Sequence, residues 1–401
     1  MDSLVYLQEQ LIRLQRKYPT RPRYCALRMA ISSVHALCMR YAKNMQSLPA
    51  KPAQHLASVP SIVFFIKGGL GDLILARNYI YCFYKYISAK PFQLKICYHY
   101  TEFLPVVCDS LPGVVETGAQ LDRLRGALKI ELNRYPRVLA GNVEKLRAYS
   151  PKLGKILASW QTFQSHNRKL FDLMPQADGL CNDYAQLLGA KRINQADIGG
   201  ILGMGEEYVA PWPLITHSSE ILRQFHLKPG QYITLQRGHS TVEEKSLKNV
   251  KLWPVEYYQE LIYMLKRQYP HYKLVQLGVS REGFNTNFDG IDVNLRGKTT
   301  LEQLGTVLKS ARLHIDSEGG LVHFRHALKG GPSVVLFGPT SPAFYGYSEN
   351  LNLRSAACER PCEWVTDDWL TRCARRTDKN CCMRSLTPQI VLEQIKEKSL
   401  L

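Results

Sequence analysis

Residues 291–342, IDVNLRGKTTLEQLGTVLKSARLHIDSEGGLVHFRHALKGGPSVVLFGPTSP, read as a strand ending in a carboxylate and two glycines, a helix starting near a histidine, and an apolar strand stopping at Gly338-Pro339-Thr340. That order builds a phosphate site. The backbone N–H groups at a helix N-terminus are free to donate, and glycines let a ligand approach the backbone. A second glycine turn lies far upstream in IVFFIKGGLGDLILA (62–76). Two such turns in one chain predict two nucleotide-fold domains facing a shared cleft.

The segments around each turn support that layout. Apolar stretches at 61–66, 93–99, 231–236, 273–278, 311–316 and 333–338 read as strands. Helices are expected at 72–88, 254–269, 301–310 and 320–329, with a shorter one near 101–108, and residues 120–180 read as mostly helical. Strands alternating with crossover helices imply parallel sheets, with ligands at the carboxyl ends of the strands. Residues 199–214, dense in Gly and Pro, read as the inter-domain connection. Residues 3–18 and 26–46 carry helical periodicity and are followed by a Pro-containing linker. The expected organisation is a helical basic extension and linker (1–60), a first Rossmann-like domain (61–210), a second (211–357), and a Cys-rich segment with a terminal helix (358–401).

The 401-residue chain is too long for one ordinary domain. No apolar run reaches the ~20 residues that span a bilayer, and the N-terminus lacks a signal-peptide pattern, so a bacterial cytoplasm is expected. Net charge is +18, of which +7 falls in residues 1–60, with nine Lys/Arg against Asp2 and Glu9. Such an arm favours an anionic partner, such as a phosphate ligand or an acidic membrane face. No recognition helix, RNP or zinc-knuckle pattern is present, so nucleic acid is not an expected partner.

Three constellations carry chemistry. In Lys67-Gly68-Gly69-Leu70-Gly71-Asp72, glycine permits close backbone approach to a ligand. Asp72 is either a carboxylate favoured by the helix dipole or a general base facing the cleft. Lys251 stands just before a helix start, where its charge opposes the dipole unless an anion lies nearby. In Asp316-Ser317-Glu318-Gly319-Gly320-Leu321-Val322-His323, a carboxylate suits sugar hydroxyls and the glycine amides suit a diphosphate. His323 is either a phosphate or ribose contact or a packed histidine bonded to a backbone carbonyl.

Taken together, residues 297–342, the IKGGLGDLILA turn and Lys251-Leu252-Trp253-Pro254 resemble glycosyltransferase family 9, the ADP-heptose heptosyltransferases of lipopolysaccharide core assembly. The resemblance covers roughly residues 61–395. It implies an α/β GT-B fold, with two Rossmann-like domains and the sugar nucleotide held mainly by the second. It further implies Asp72 as the base that deprotonates the acceptor hydroxyl and Lys251 as the charge that offsets the diphosphate. Gly319, Gly320 and His323 would form the nucleotide-sugar site, with Gly69 and Gly71 lining the first turn and Glu282 a candidate for the ribose. The family pattern has Asp-Thr/Ser-Gly with a histidine three residues after the glycine. Here that spacing puts Glu318 in the aspartate's place and moves Asp316 toward the strand. Either could hold the sugar, and spacing favours Glu318.

The resemblance implies an inverting transfer that needs no metal for chemistry, and the chain shows no Asp-x-Asp motif. Five cysteines fall between 358 and 382. In a cytoplasmic protein their spacing reads as metal binding, with Cys358, Cys362, Cys373 and Cys382 as a closed structural set for zinc by default or iron. The expected function is transfer of heptose or a related sugar from ADP-heptose to a lipopolysaccharide-core or related saccharide acceptor, at the cytoplasmic face of the inner membrane. A protein (autotransporter) acceptor is the second reading, since the family's protein heptosyltransferases carry a C-terminal cysteine cluster. A non-catalytic nucleotide-sugar-binding protein is the third.

Overall fold

The first strand is an almost unbroken apolar run. In the computed structural model, β1 (Ser61–Ile66) buries Ile62, Val63, Phe64 and Ile66 because it lies between two other strands and is covered on both faces. The structure describes residues 59–108, 111–132, 136–166, 218–237, 250–280, 287–358, 361–363, 369–373 and 381–401. The expected N-terminal helices and the connection at 199–214 lie outside these residues.

From β1 the chain turns through its glycines into α1 (Leu70–Ile87), then β2 (Gln93–Cys97), a 3-10 turn (Thr101–Phe103) and α2 (Leu104–Cys108). β3 (Val114–Gly118) and β4 (Leu128–Leu132) follow, then β5 (Pro136–Gly141), α3 (Val143–Tyr149) and α4 (Pro151–His166). The sheet order is β3-β2-β1-β4-β5. All neighbours are parallel except β4 and β5, which are antiparallel.

Here the expectation of helix over 120–180 is corrected. It holds at 143–166, but 128–141 forms two strands, and the sheet is not wholly parallel. LKIEL is built from good helix formers and is too short to show a full helical period. Its burial beside β1 decides the outcome, because Leu128, Ile130 and Leu132 all enter the core. Pro136 begins β5 on the sheet edge, where a missing N–H is tolerated.

The second sheet follows α5 (Ser219–Gln224). It contains β6 (Tyr232–Gln236), α6 (Val255–Gln268), β7 (Lys273–Leu277), β8 (Val293–Asn294), α7 (Leu301–Ser310), β9 (Leu313–Ser317), α8 (Gly320–Ala327) and β10 (Ser333–Phe337). It closes with α9 (Pro342–Tyr345), β11 (Leu351–Arg354), α10 (Cys381–Arg384) and α11 (Pro388–Glu397). The order is β11-β10-β9-β6-β7-β8, and every pair is parallel. The predicted strands and helices of this half form within a residue or two. α7 starts where a capping box places it: Thr300 Oγ1 accepts from Gln303 N–H, and the Gln303 side chain accepts from Thr300 N–H. β8 and β11 are the additions, both short and at the sheet edges.

Two large apolar cores result, with a small cluster of Val63, Cys97 and Leu124 on the other face of the first sheet. One covers the α1 face of the first sheet and continues through Leu73 and Ile74 of α1 into Leu321, Val322 and Phe324 of α8. The other lies under α6 and α11 and includes Trp253, Tyr258, Met383 and Ile395. The packing of α1 on α8 therefore brings the two glycine turns together. Among the described residues, no helix is long and apolar enough to cross a membrane.

Candidate active site

The two turns touch. A Cβ placed on Gly71 would stand 2.7 Å from His323 Cδ2 and 3.2 Å from Gly320 Cα. A Cβ on Gly320 would stand 3.2 Å from Gly71 N. A side chain at 71 would clash and one at 320 would be tight, because one turn approaches the other so closely. Gly69 is different, since nothing lies within 4 Å of the place a Cβ would occupy there. Its N–H donates to Asp72 Oδ2 at 2.8 Å, so Asp72 caps the first turn of α1 while remaining partly exposed. Gly68 carries the left-handed backbone of the turn, at φ +103°.

On the opposite side, β9 delivers Glu318 and Gly319 to the N-terminus of α8. Lys251 comes from the segment before α6, and its position is built from behind. The Trp253 indole N–H donates to Leu386 O at 2.7 Å, and Arg237 Nε donates to Trp253 O at 3.1 Å. Lys251 Nζ then lies 2.7 Å from Glu318 Oε2. The anion that its placement before a helix calls for is this carboxylate. Burial by itself would raise the Glu318 carboxyl, but Lys251 and His323 outweigh it and hold the group well below the usual carboxylate range. His323 Nε2 lies 3.6 Å from Glu318 Oε1, and His323 Nδ1 lies 2.7 Å from Tyr347 Oη. Its partners are therefore side chains, not a backbone carbonyl.

Asp316 does not join them. It is 2 % exposed within β9, and burial pushes its carboxyl well above the ordinary value. Its neighbour His314, at 3.5 Å, is driven down to about 3 by burial and then by Arg325. His314 is therefore neutral near pH 7. The carboxylate at the helix end is Glu318, as spacing favours. Glu282 lies outside the described residues.

Sequence reasoning missed three groups. Tyr347 carries no periodic signal in its short Pro-Gly-rich segment. Glu131, in the strand that the sequence presents as helix, pairs with Lys67 at 3.2 Å just before the first glycine turn, with Arg137 at 3.8 Å. Tyr98, just after β2, is fully buried, its hydroxyl without a hydrogen-bond partner, and its phenol is pushed up by burial and then by the charge of Asp72. The sequence marks it only as part of a strand.

Cys358 and Cys382 are built into the second apolar core beside Met383. The Cys382 thiol is pushed up to about 12, by burial first and then by Cys358, Cys362 and Cys381. Cys358, Cys362 and Cys381 thus lie close enough to Cys382 to act on it. Among the described residues, no group of three or more His, Cys, Asp or Glu side chains is arranged to hold a metal ion. Cys358 and Cys382 pack in that core as small apolar groups.

Two Rossmann-like sheets joined at facing helix N-termini form a GT-B arrangement, and the family match of the second lobe makes the chain a glycosyltransferase. Residues 217–367 match the family model of glycosyltransferase family 9 (heptosyltransferase), so the second lobe is a domain of that family. No curated protein matches the chain. Among solved structures, the chain is similar to the dodecameric iron-containing heptosyltransferase TibC in complex with ADP-D-beta-D-heptose. The identity is 14% and the TM-score 0.56, over 88% of this chain and 81% of that one. TibC from enterotoxigenic E. coli H10407 gives 16% identity and a TM-score of 0.54, with the same coverage. E. coli ADP-heptose lps heptosyltransferase II gives 17% and 0.48, over 84% of this chain and 98% of that one. At such identities the likeness to TibC is one of fold.

Proposed function

We propose that the protein transfers heptose from ADP-heptose to a hydroxyl of a saccharide acceptor, with inversion at the anomeric carbon. The observation that carries this reading is the Lys251–Glu318 pair at the N-terminus of α8, directly against the turn that bears Asp72. A diphosphate entering here competes with Glu318 for Lys251 and meets the amides of Gly319 and Gly320. Once the phosphate holds the lysine, Glu318 is free to accept hydrogen bonds from sugar hydroxyls. Asp72 takes the proton of the acceptor hydroxyl as its oxygen bonds to the anomeric carbon. The bond to the diphosphate breaks, and ADP departs with the electron pair, its charge offset by Lys251 and the helix end. No metal enters these steps. The basic residues 1–60 favour placement at the anionic cytoplasmic face of the inner membrane.

Thermal melting with ADP-heptose, ADP-glucose, GDP-sugars and UDP-sugars tests the donor. ADP-heptose should raise the melting temperature most. A larger shift with another nucleotide sugar, or no shift with any, would overturn the reading. A protein acceptor is the second reading, suggested by the five cysteines between 358 and 382. Intact-mass analysis of an autotransporter passenger domain incubated with enzyme and ADP-heptose distinguishes it, through a mass increase of one heptosyl residue or none.

A further inference from the structure

His323 is flanked on both ring nitrogens. Glu318 Oε1 faces Nε2 at 3.6 Å, and the Tyr347 hydroxyl faces Nδ1 at 2.7 Å. At 3.6 Å this is an electrostatic contact, not a hydrogen bond, but a carboxylate can only accept, so it favours a ring proton on Nε2. A neutral ring of that form carries its lone pair on Nδ1, and the Tyr347 hydroxyl must then be the donor.

Tyr347 is itself held in place. It is buried, and its ring stacks on His326 with centroids 3.5 Å apart and planes 7° from parallel. Its carbonyl accepts from Asn352 Nδ2 at 2.8 Å. His326 in turn pairs through Nδ1 with Glu349 Oε1 at the surface. The charged and titratable groups around His323 are thus Glu318 with Lys251 behind it, Tyr347, and the His326–Glu349 pair beyond the tyrosine ring.

We propose that Tyr347 is a positioning residue of the donor site, whose hydroxyl fixes His323 as the neutral Nε2–H tautomer and so orients that N–H toward Glu318 and the phosphate-binding end of α8. The ring then acts as a hydrogen-bond donor of fixed direction. The donor-site part of this inference rests on the proposed function above; the tautomer itself does not.

The test is a two-bond proton–nitrogen NMR spectrum of the full chain with labelled histidines, the His323 signal being assigned with His323→Gln. At neutral pH the wild type should show His323 protonated on Nε2 and bare on Nδ1. Tyr347→Phe keeps the aromatic stack and removes only the hydroxyl. It should introduce the other tautomer or the imidazolium and weaken ADP binding about fivefold, the effect of one lost hydrogen bond. A wild-type ring protonated on Nδ1 overturns the proposal, and so does a Tyr347→Phe protein with an unchanged His323 spectrum or unchanged ADP affinity. Should Tyr347→Phe fail to fold, the wild-type spectrum alone decides. Failure of the wild type to bind ADP would sink the donor reading while leaving the tautomer result to stand or fall by the spectrum.

Discussion

Lys251 and Glu318 form an ion pair of 2.7 Å in the seam between the two sheets, with both side chains at most 10 % exposed. Removing one partner of a buried pair strands the other charge, which is costly. Glu318→Gln should therefore destabilise the protein by ~3 kcal/mol in urea unfolding at neutral pH. The pH dependence has a definite sign. The folded Glu318 carboxyl is held below its ordinary value of 4.5, so its stabilisation is complete above that value and is lost as pH falls below it. The wild-type minus variant difference should accordingly be constant down to about pH 5 and shrink at lower pH. A difference that instead grows on acidification would contradict the pairing.

Asp72 has two tasks, because its Oδ2 accepts from Gly69 N–H at 2.8 Å and its carboxylate is the proposed base. Asparagine keeps an oxygen that can serve the cap but cannot take a proton. Asp72→Asn should thus melt within a degree or two of the wild type, bind ADP-heptose comparably, and lose roughly 10²–10⁴ in turnover, the usual contribution of a general base. Calorimetric donor binding and a coupled assay for released ADP check this. Unchanged turnover would remove Asp72 from the mechanism.

Gly71 and Gly69 make opposite predictions although they stand two residues apart. A methyl group at Gly71 meets His323 and the backbone of Gly320, so Gly71→Ala should cost about 1–3 kcal/mol, even though alanine favours the helix by ~1 kcal/mol. Gly69→Ala meets nothing within 4 Å and should cost under about 1 kcal/mol. Chemical denaturation of the two variants settles the order. Equal losses would mean that the turns do not touch.

Tyr98 buries a hydroxyl with no hydrogen-bond partner. Removing an unsatisfied buried polar group is neutral or favourable. Tyr98→Phe should leave the melting temperature equal or raised, by up to about 1 kcal/mol in stability. A clear loss would reveal that the hydroxyl is satisfied by bound water.

Much of the second lobe could be read directly from its letters. The capping box at Thr300, the apolar run of 333–337 and the glycines before α8 are local signals, each satisfied by contacts within a few residues. Spacing to the glycine pair also singled out Glu318 over Asp316. The first lobe was harder. In residues 128–132 side-chain propensity and tertiary burial disagree, and burial beside β1 prevails.

The linear order of residues thus determined two glycine turns, their strands, and the carboxylate nearest the second turn, because backbone conformation and hydrophobic period are set by near neighbours. Only the folded molecule decided that Gly71 and Gly320, 249 positions apart, would lie against one another. The same holds for Lys251 answering Glu318, for Tyr347 orienting His323, and for Cys382 sinking into an apolar core. These relations arise when distant segments are packed side by side, and no local pattern encodes which side chains will then face each other.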